Sequence, residues 1–183
     1  MYLQYNSLAH YSISTSIYHP FFPMNNEERS RLIESYGDAY RQLAEALNTF
    51  PAEVWQYKPS PERWSIHEII VHIADSEANS YVRVRRGIAE PGSQILGYDQ
   101  DGWAVRLKYH DQSTEDYLQL FRWLRHTTYQ LIRNQPESVW VQTYVHSDNG
   151  PTTLDAWLKI YEHHVRGHID QIQKNYEHWK QRR

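Results

Sequence analysis

Residues 161–172 read YEHHVRGHIDQI, and the placement of His164 and His168 in that stretch decides how the rest of the chain is read. The two histidines are four residues apart, so on a helix of 3.6 residues per turn they stand one above the other on a single face. The series Tyr161, His164, His168 and Ile172 steps by 3, 4 and 4, which places both imidazoles inside the apolar stripe of an amphipathic helix. A buried neutral imidazole keeps one acceptor nitrogen, and leaving such a group unpartnered costs about 1 to 3 kcal/mol. Spacing alone therefore leaves two readings open, a pair of metal ligands or a pair of structural histidines.

Working outward, Thr152 with Asp155 opens this helix, and Leu154, Trp157, Leu158, Val165, Ile169 and Tyr176 carry its stripe to about Lys180. Before it, WVQTYV (140–145) alternates like a short strand and Asp148, Asn149, Gly150 and Pro151 form a turn cluster, together a small hairpin. A third helix runs from Ser113, paired with Asp116 as a cap, through Tyr117, Phe121, Leu124, Thr128 and Ile132 to about Gln135. Ser65 with Glu68 is a capping box for a helix over 65–86 that Gly87 ends, and the spacing from Leu32 to Leu47 predicts another over 26–50, stopped by Pro51. Between the second and third helices, residues 87–112 carry Gly87, Pro91, Gly92, Gly97 and Gly102 and read as a long connection. The expected fold is all-α, a four-helix bundle with one long connection between helices 2 and 3, in which sites are built from inward-facing side chains.

Composition narrows the chemistry. A chain of 183 residues sits at the prior for one domain. It has no cysteine, which removes disulfides, thiolate ligands and thiol nucleophiles. A net charge of -3 argues against binding to nucleic acid or an anionic membrane surface, and no apolar run reaches the roughly 20 residues of a spanning helix. Glycine-loop phosphate cradles are absent. Residues 1–23 lack a basic start and a continuous apolar stretch, so no secretory signal is read and a cytoplasmic location is expected. They are read as a poorly ordered N-terminal extension preceding the domain over 24–183.

Eleven histidines are the unusual count. His72, between Ile69 and Ile73, borders the apolar face of the second helix and is the third ligand candidate. His67 lies about 140° around that helix from it, and His163 about 100° from the His164 face, so neither shares the approach. His10, His19, His110, His126, His146 and His178 have no mutual helical spacing and read as surface or loop residues. Three neutral imidazoles with an open fourth position suit Zn²⁺ or Ni²⁺, with Fe and Mn as alternatives.

The stretch RWSIHEIIVHIADSEAN (63–79) together with YEHHVRGHIDQI resembles the DinB-like, YfiT-like metal-binding four-helix bundles. The resemblance rests on Trp64 and Ser65 opening the second helix, His72 eight residues after that Trp, and an H-x-x-x-H pair 92 residues further on. It covers about residues 26–180. It implies a divalent ion held by His72, His164 and His168, completed by water, and a homodimer. It also implies a metal-dependent enzyme for small molecules, either a hydrolase or a thiol S-transferase using a low-molecular-weight thiol. The rival reading is a noncatalytic metal-stabilised or stress-related module.

Around such a site, Asp75 is the nearest acid, read first as an exposed residue or as a partner orienting His72 and second as a general base. Glu77 and Glu162 are displaced from the ligand face. Arg83, Arg85 and Arg86 crowd the end of the second helix, where cations complement the helix dipole and where an anionic substrate is an alternative partner. Trp103 and Tyr109 line the metal pocket or pack in the core, while Trp64, Trp140, Trp157 and Trp179 read as packing aromatics.

Overall fold

Each long helix begins where a side-chain oxygen takes a first-turn amide that has no partner within the helix. In the computed structural model, which describes residues 24–182, Asn25 caps α1 (Asn26–Leu47) at the Glu28 amide. Ser65 caps α2 (Ile66–Ala89), and Glu68 returns the bond to the Ser65 amide at 2.8 Å, the reciprocal box expected there. Asp99 caps the short α3 (Gln100–Arg106) and Ser113 caps α4 (Thr114–Ile132). After the four-residue α5 (Glu137–Trp140), Thr153 caps α6 (Leu154–Lys180). The reading of residues 1–23 as an extension falls outside the described residues.

Several boundaries differ from the sequence reading. The cap of α6 is Thr153 and not Thr152, because Asp155 turns away to accept from Arg29 Nε at 2.7 Å and the Met24 amide at 3.0 Å. α1 ends at Leu47, three residues short. α2 runs through Gly87, whose missing side chain admits α6: a Cβ there would meet Leu154 Cδ2 at 2.9 Å. Trp140 closes α5, and the hairpin is β2 (Thr143–His146) with β3 (Gly150–Thr153). The connection over 87–112 is partly regular, since it holds α3 and a two-residue strand, β1 (Gln94–Ile95), which pairs parallel with β2 to give the order β1-β2-β3.

The four long helices form a square in which α1 packs on α4 and α6, and α2 packs on the same two. Contacts along the seams fix directions. Arg29 with Asp155, Ser35 with Glu162 and Phe50 with Tyr176 run α1 and α6 the same way. His67 with Thr114 and Arg85 with Thr128 do so for α2 and α4. Asn175 reaches the Trp64 carbonyl at 2.8 Å and Arg83 reaches Tyr161, so α2 and α6 are antiparallel.

Apart from a small group of Val71, Ala104 and Tyr109, most of the buried apolar side chains gather in two clusters. One holds Leu43, Ile66, Ile69, Ile73, Phe121 and Val165, the other Tyr36, Val84, Ile132, Leu154 and Trp157. Burying a side chain of this size contributes about 1.5 to 3 kcal/mol. Glu77, Arg125 and Thr128 interrupt the stripes of α2 and α4 between the two clusters, all buried. Among the described residues no helix is long and apolar enough to cross a membrane.

Candidate metal centre

The antiparallel seam of α2 and α6 brings His72 to the pair His164 and His168, the nearer of which lies 92 residues away in sequence. His72 Nε2 lies 3.3 Å from His164 Nε2, and His168 Nε2 lies 3.1 Å from the same atom. His72 is 1 % exposed, while His164 and His168 are half-buried. Among the described residues they form one group of three whose ligand atoms all fall within 4.8 Å of one another.

This spacing tests whether an ion fits. Two nitrogens bound to one ion at 2.0 to 2.1 Å with tetrahedral angles stand about 3.3 Å apart. At His168 the protonation pattern agrees, while His72 Nδ1 is buried without a partner among the described residues. His168 Nδ1 meets the Gln171 amide oxygen at 2.9 Å, so Nδ1 carries the proton and Nε2 presents its lone pair. Burial pushes all three imidazoles below the ordinary histidine range, and mutual repulsion adds to it at His72 and His164. In the neutral state His164 can donate one proton to one neighbour, which leaves a lone pair facing a lone pair; one divalent cation satisfies all three.

The ring of His72 packs on Trp64 at 4.6 Å between centroids, so Trp64 shields a candidate ligand as well as filling space. Asp75, one turn after His72, is half-buried and accepts from the Tyr109 hydroxyl at 2.6 Å. Burial pushes its carboxyl up and the Tyr109 bond opposes this without cancelling it. Tyr109 is carried there by the turn after α3, where Lys108 takes the left-handed φ of 52°. His67 anchors the same turn, with Nε2 on the Tyr109 carbonyl at 2.9 Å and Nδ1 against Thr114. It stays out of the triad, as its angular offset predicts.

Glu162, Glu77, Arg85 and Arg86 are taken up by partners away from the triad. Glu162 accepts from Ser35 at 2.7 Å and from Arg166 at 2.5 Å, and Glu77 belongs to the buried pair with Arg125. Arg86 bridges Glu90 and the Gln94 carbonyl, and Arg85 lies over the Tyr81 ring. Trp103 packs on Tyr98 with the rings tilted and their centroids 4.7 Å apart. Sequence reasoning missed Gln171, Tyr98 and Tyr161. Gln171 was accessible as an i+3 neighbour of His168, whereas Tyr98 sits in an irregular connection with no periodic signal.

A sequence profile described as the DinB superfamily matches residues 36–172. A protein of Oceanobacillus iheyensis with the provisional name of metal-dependent hydrolase is 28 % identical over 109 residues, 60 % of this chain; the chain spans 63 % of that relative's length, just under two thirds. YfiT of Bacillus subtilis, provisionally named likewise, is 24 % identical over 159 residues, covering 85 % of this chain and 88 % of YfiT. The solved YfiT structure, described as having an unusual four-helix bundle topology, superimposes with a TM-score of 0.80 at 21 % identity over 89 % of this chain and 94 % of that one. That likeness is one of fold.

Proposed function

The chain belongs to the DinB superfamily, and from that premise we propose that His72, His164 and His168 hold one divalent metal ion at which small molecules are hydrolysed or joined to a low-molecular-weight thiol. The observation that supports this is the convergence of three neutral Nε2 atoms at 3.1 and 3.3 Å. Zinc and nickel suit a three-imidazole set best, with iron and manganese next.

A bound divalent ion lowers the pKa of its water toward about 7, polarises a carbonyl or holds a thiolate. The chain's own residues supply the rest. Gln171 fixes the His168 tautomer, and Trp64 keeps water from the His72 ring. Tyr109 occupies Asp75 Oδ2, so Oδ1 is the atom left to take a proton. Half-burial, by raising its carboxyl, moves Asp75 toward the range of a general base.

The noncatalytic reading has one observation behind it, that the triad staples α2 to α6 and would stabilise the bundle when loaded. Elemental analysis of untagged protein beside His72→Ala, His164→Ala and His168→Ala tests the shared premise. About one ion per chain is expected, lost in each variant; no stoichiometric metal after addition of Zn²⁺ or Ni²⁺ overturns it. Cobalt-substituted protein then separates the two readings, because an open site changes its visible spectrum with azide or a thiol and a closed staple does not.

A further inference from the structure

Arg83 lies on α2 eleven residues beyond His72, close to three full turns along the same face. Across the seam stands Tyr161, one turn before His164 on α6. Arg83 Nη1 donates to the Tyr161 hydroxyl at 2.7 Å and Nη2 to the Leu96 carbonyl at 3.0 Å. The Tyr161 ring in turn lies 6.2 Å from the His164 ring, edge-on. One aromatic side chain thus separates the guanidinium from the triad.

Arg83 combines nearness to the triad with a charge that no carboxylate offsets. Arg29, Arg41, Arg86, Arg106, Arg125 and Arg166 each have a carboxylate within 4 Å. Arg83 is half-buried and has none among the described residues; Tyr98, Tyr144, Tyr161 and His146 are titratable groups that feel its charge. A guanidinium offers five N–H donors and matches the fork of a carboxylate. Tyr98 extends the polar surface toward the triad, since it pairs with Ser76, four residues after His72, and lies within reach of both Asp75 and Arg83.

Building on the metal-centred reading above, we propose that Arg83, seated against Tyr161, receives the carboxylate of the small molecule whose other end is held at the three histidines. The substrate class is therefore carboxylic acids. A doubly charged phosphate would call for a second cation at the same spot, and the neighbouring arginines are turned to other partners, Arg85 to the Tyr81 ring and Thr128 and Arg86 to Glu90. The bland role of Arg83, holding the Leu96 carbonyl and with it the β1 connection, predicts no preference among ligands.

Cobalt-loaded full-length protein tests the assignment through the thiolate-to-cobalt absorption band. The probes are mercaptocarboxylates from 2-mercaptoacetate to 6-mercaptohexanoate, each beside the mercaptoalcohol of equal length. At one chain length or more the carboxylate is expected to bind about tenfold more tightly, the scale of one charge-assisted contact. Arg83→Met is expected to abolish that advantage while mercaptoalcohol affinity stays within about twofold, and Arg83→Lys to restore part of it. Absence of a carboxylate preference in the wild type at every length overturns the proposal and leaves the metal site standing, as does a preference that survives Arg83→Met. A wild type that takes up no cobalt overturns both.

Discussion

Arg125 Nη2 lies 2.6 Å from Glu77 Oε2 with both side chains 1 % exposed, in the interval between the two apolar clusters. Tyr36 donates its hydroxyl to the same carboxylate, and Arg125 Nη1 reaches the Tyr161 carbonyl at 3.2 Å. All four long helices therefore meet at one ion pair, one turn from the level of His164. Removing one partner of a buried pair strands the other's charge, which costs about 3 to 5 kcal/mol, whereas replacing both by apolar groups is often near neutral. Arg125→Met should lower the urea midpoint accordingly, and the double variant Arg125→Met with Glu77→Leu should recover most of the loss. A double variant no more stable than the single one contradicts this account.

Metal removal should destabilise the fold by mass action. A ligand at 100 times its dissociation constant contributes about 2.7 kcal/mol, which for a chain of this size is about 5 to 10 °C in Tm. Scanning calorimetry with and without a chelator should show that drop in the zinc-loaded wild type. His164→Ala should melt at the same temperature in both conditions.

Tyr109→Phe should raise the Asp75 pKa. Burial already pushes that carboxyl up, and the Tyr109 hydroxyl bond is the opposing influence. With the donor gone that downward influence is lost. A carbon-13 titration of the Asp75 carboxyl in the two zinc-loaded proteins reads the change directly, and an unchanged or lower value would show that the bond does not hold in solution.

Glu68 gives a pH prediction of opposite sign. Burial raises its carboxyl, but the Ser65 amide and the Lys58 ammonium at 2.9 Å outweigh that and hold it below the ordinary glutamate value. A group depressed in the folded state contributes stability above its unfolded pKa, near 4.3 to 4.5, and loses it as pH falls through the folded value. The Tm gap between wild type and Glu68→Gln should be constant from pH 7 to about 5 and narrow steadily as pH falls below the ordinary glutamate value. A gap that does not narrow on acidification would mean that the carboxylate's charge is not what stabilises the cap.

The triad was legible because helical period converts spacing into direction: four residues put His164 and His168 on one face, and the Ile69 to Ile73 stripe carried His72 inward. Ser65 and Glu68 were legible for the same reason, as a local pattern with a local partner. What escaped was decided by distant residues. Asp155 reads as a first-turn acid, yet its partner Arg29 lies 126 residues away. Gly87 reads as a helix stop, but it is a contact with Leu154 that no local pattern announces. The two residues of β1 are too few for any alternation and exist because β2 offers them an edge.

The shared direction of α1 and α6 bears on when the site comes into existence. Their seam joins the first and last long helices described, so it cannot close by a short turn between neighbours, and contacts of such separation in sequence slow folding. Until Leu154–Lys180 has left the ribosome the nascent chain carries one of the three imidazoles, and α1, α2 and α4 lack the wall against which α6 would bury Trp157 and Val165. On the metal-centred proposal, loading with an ion waits for this one helix to dock, because it carries two of the three imidazoles.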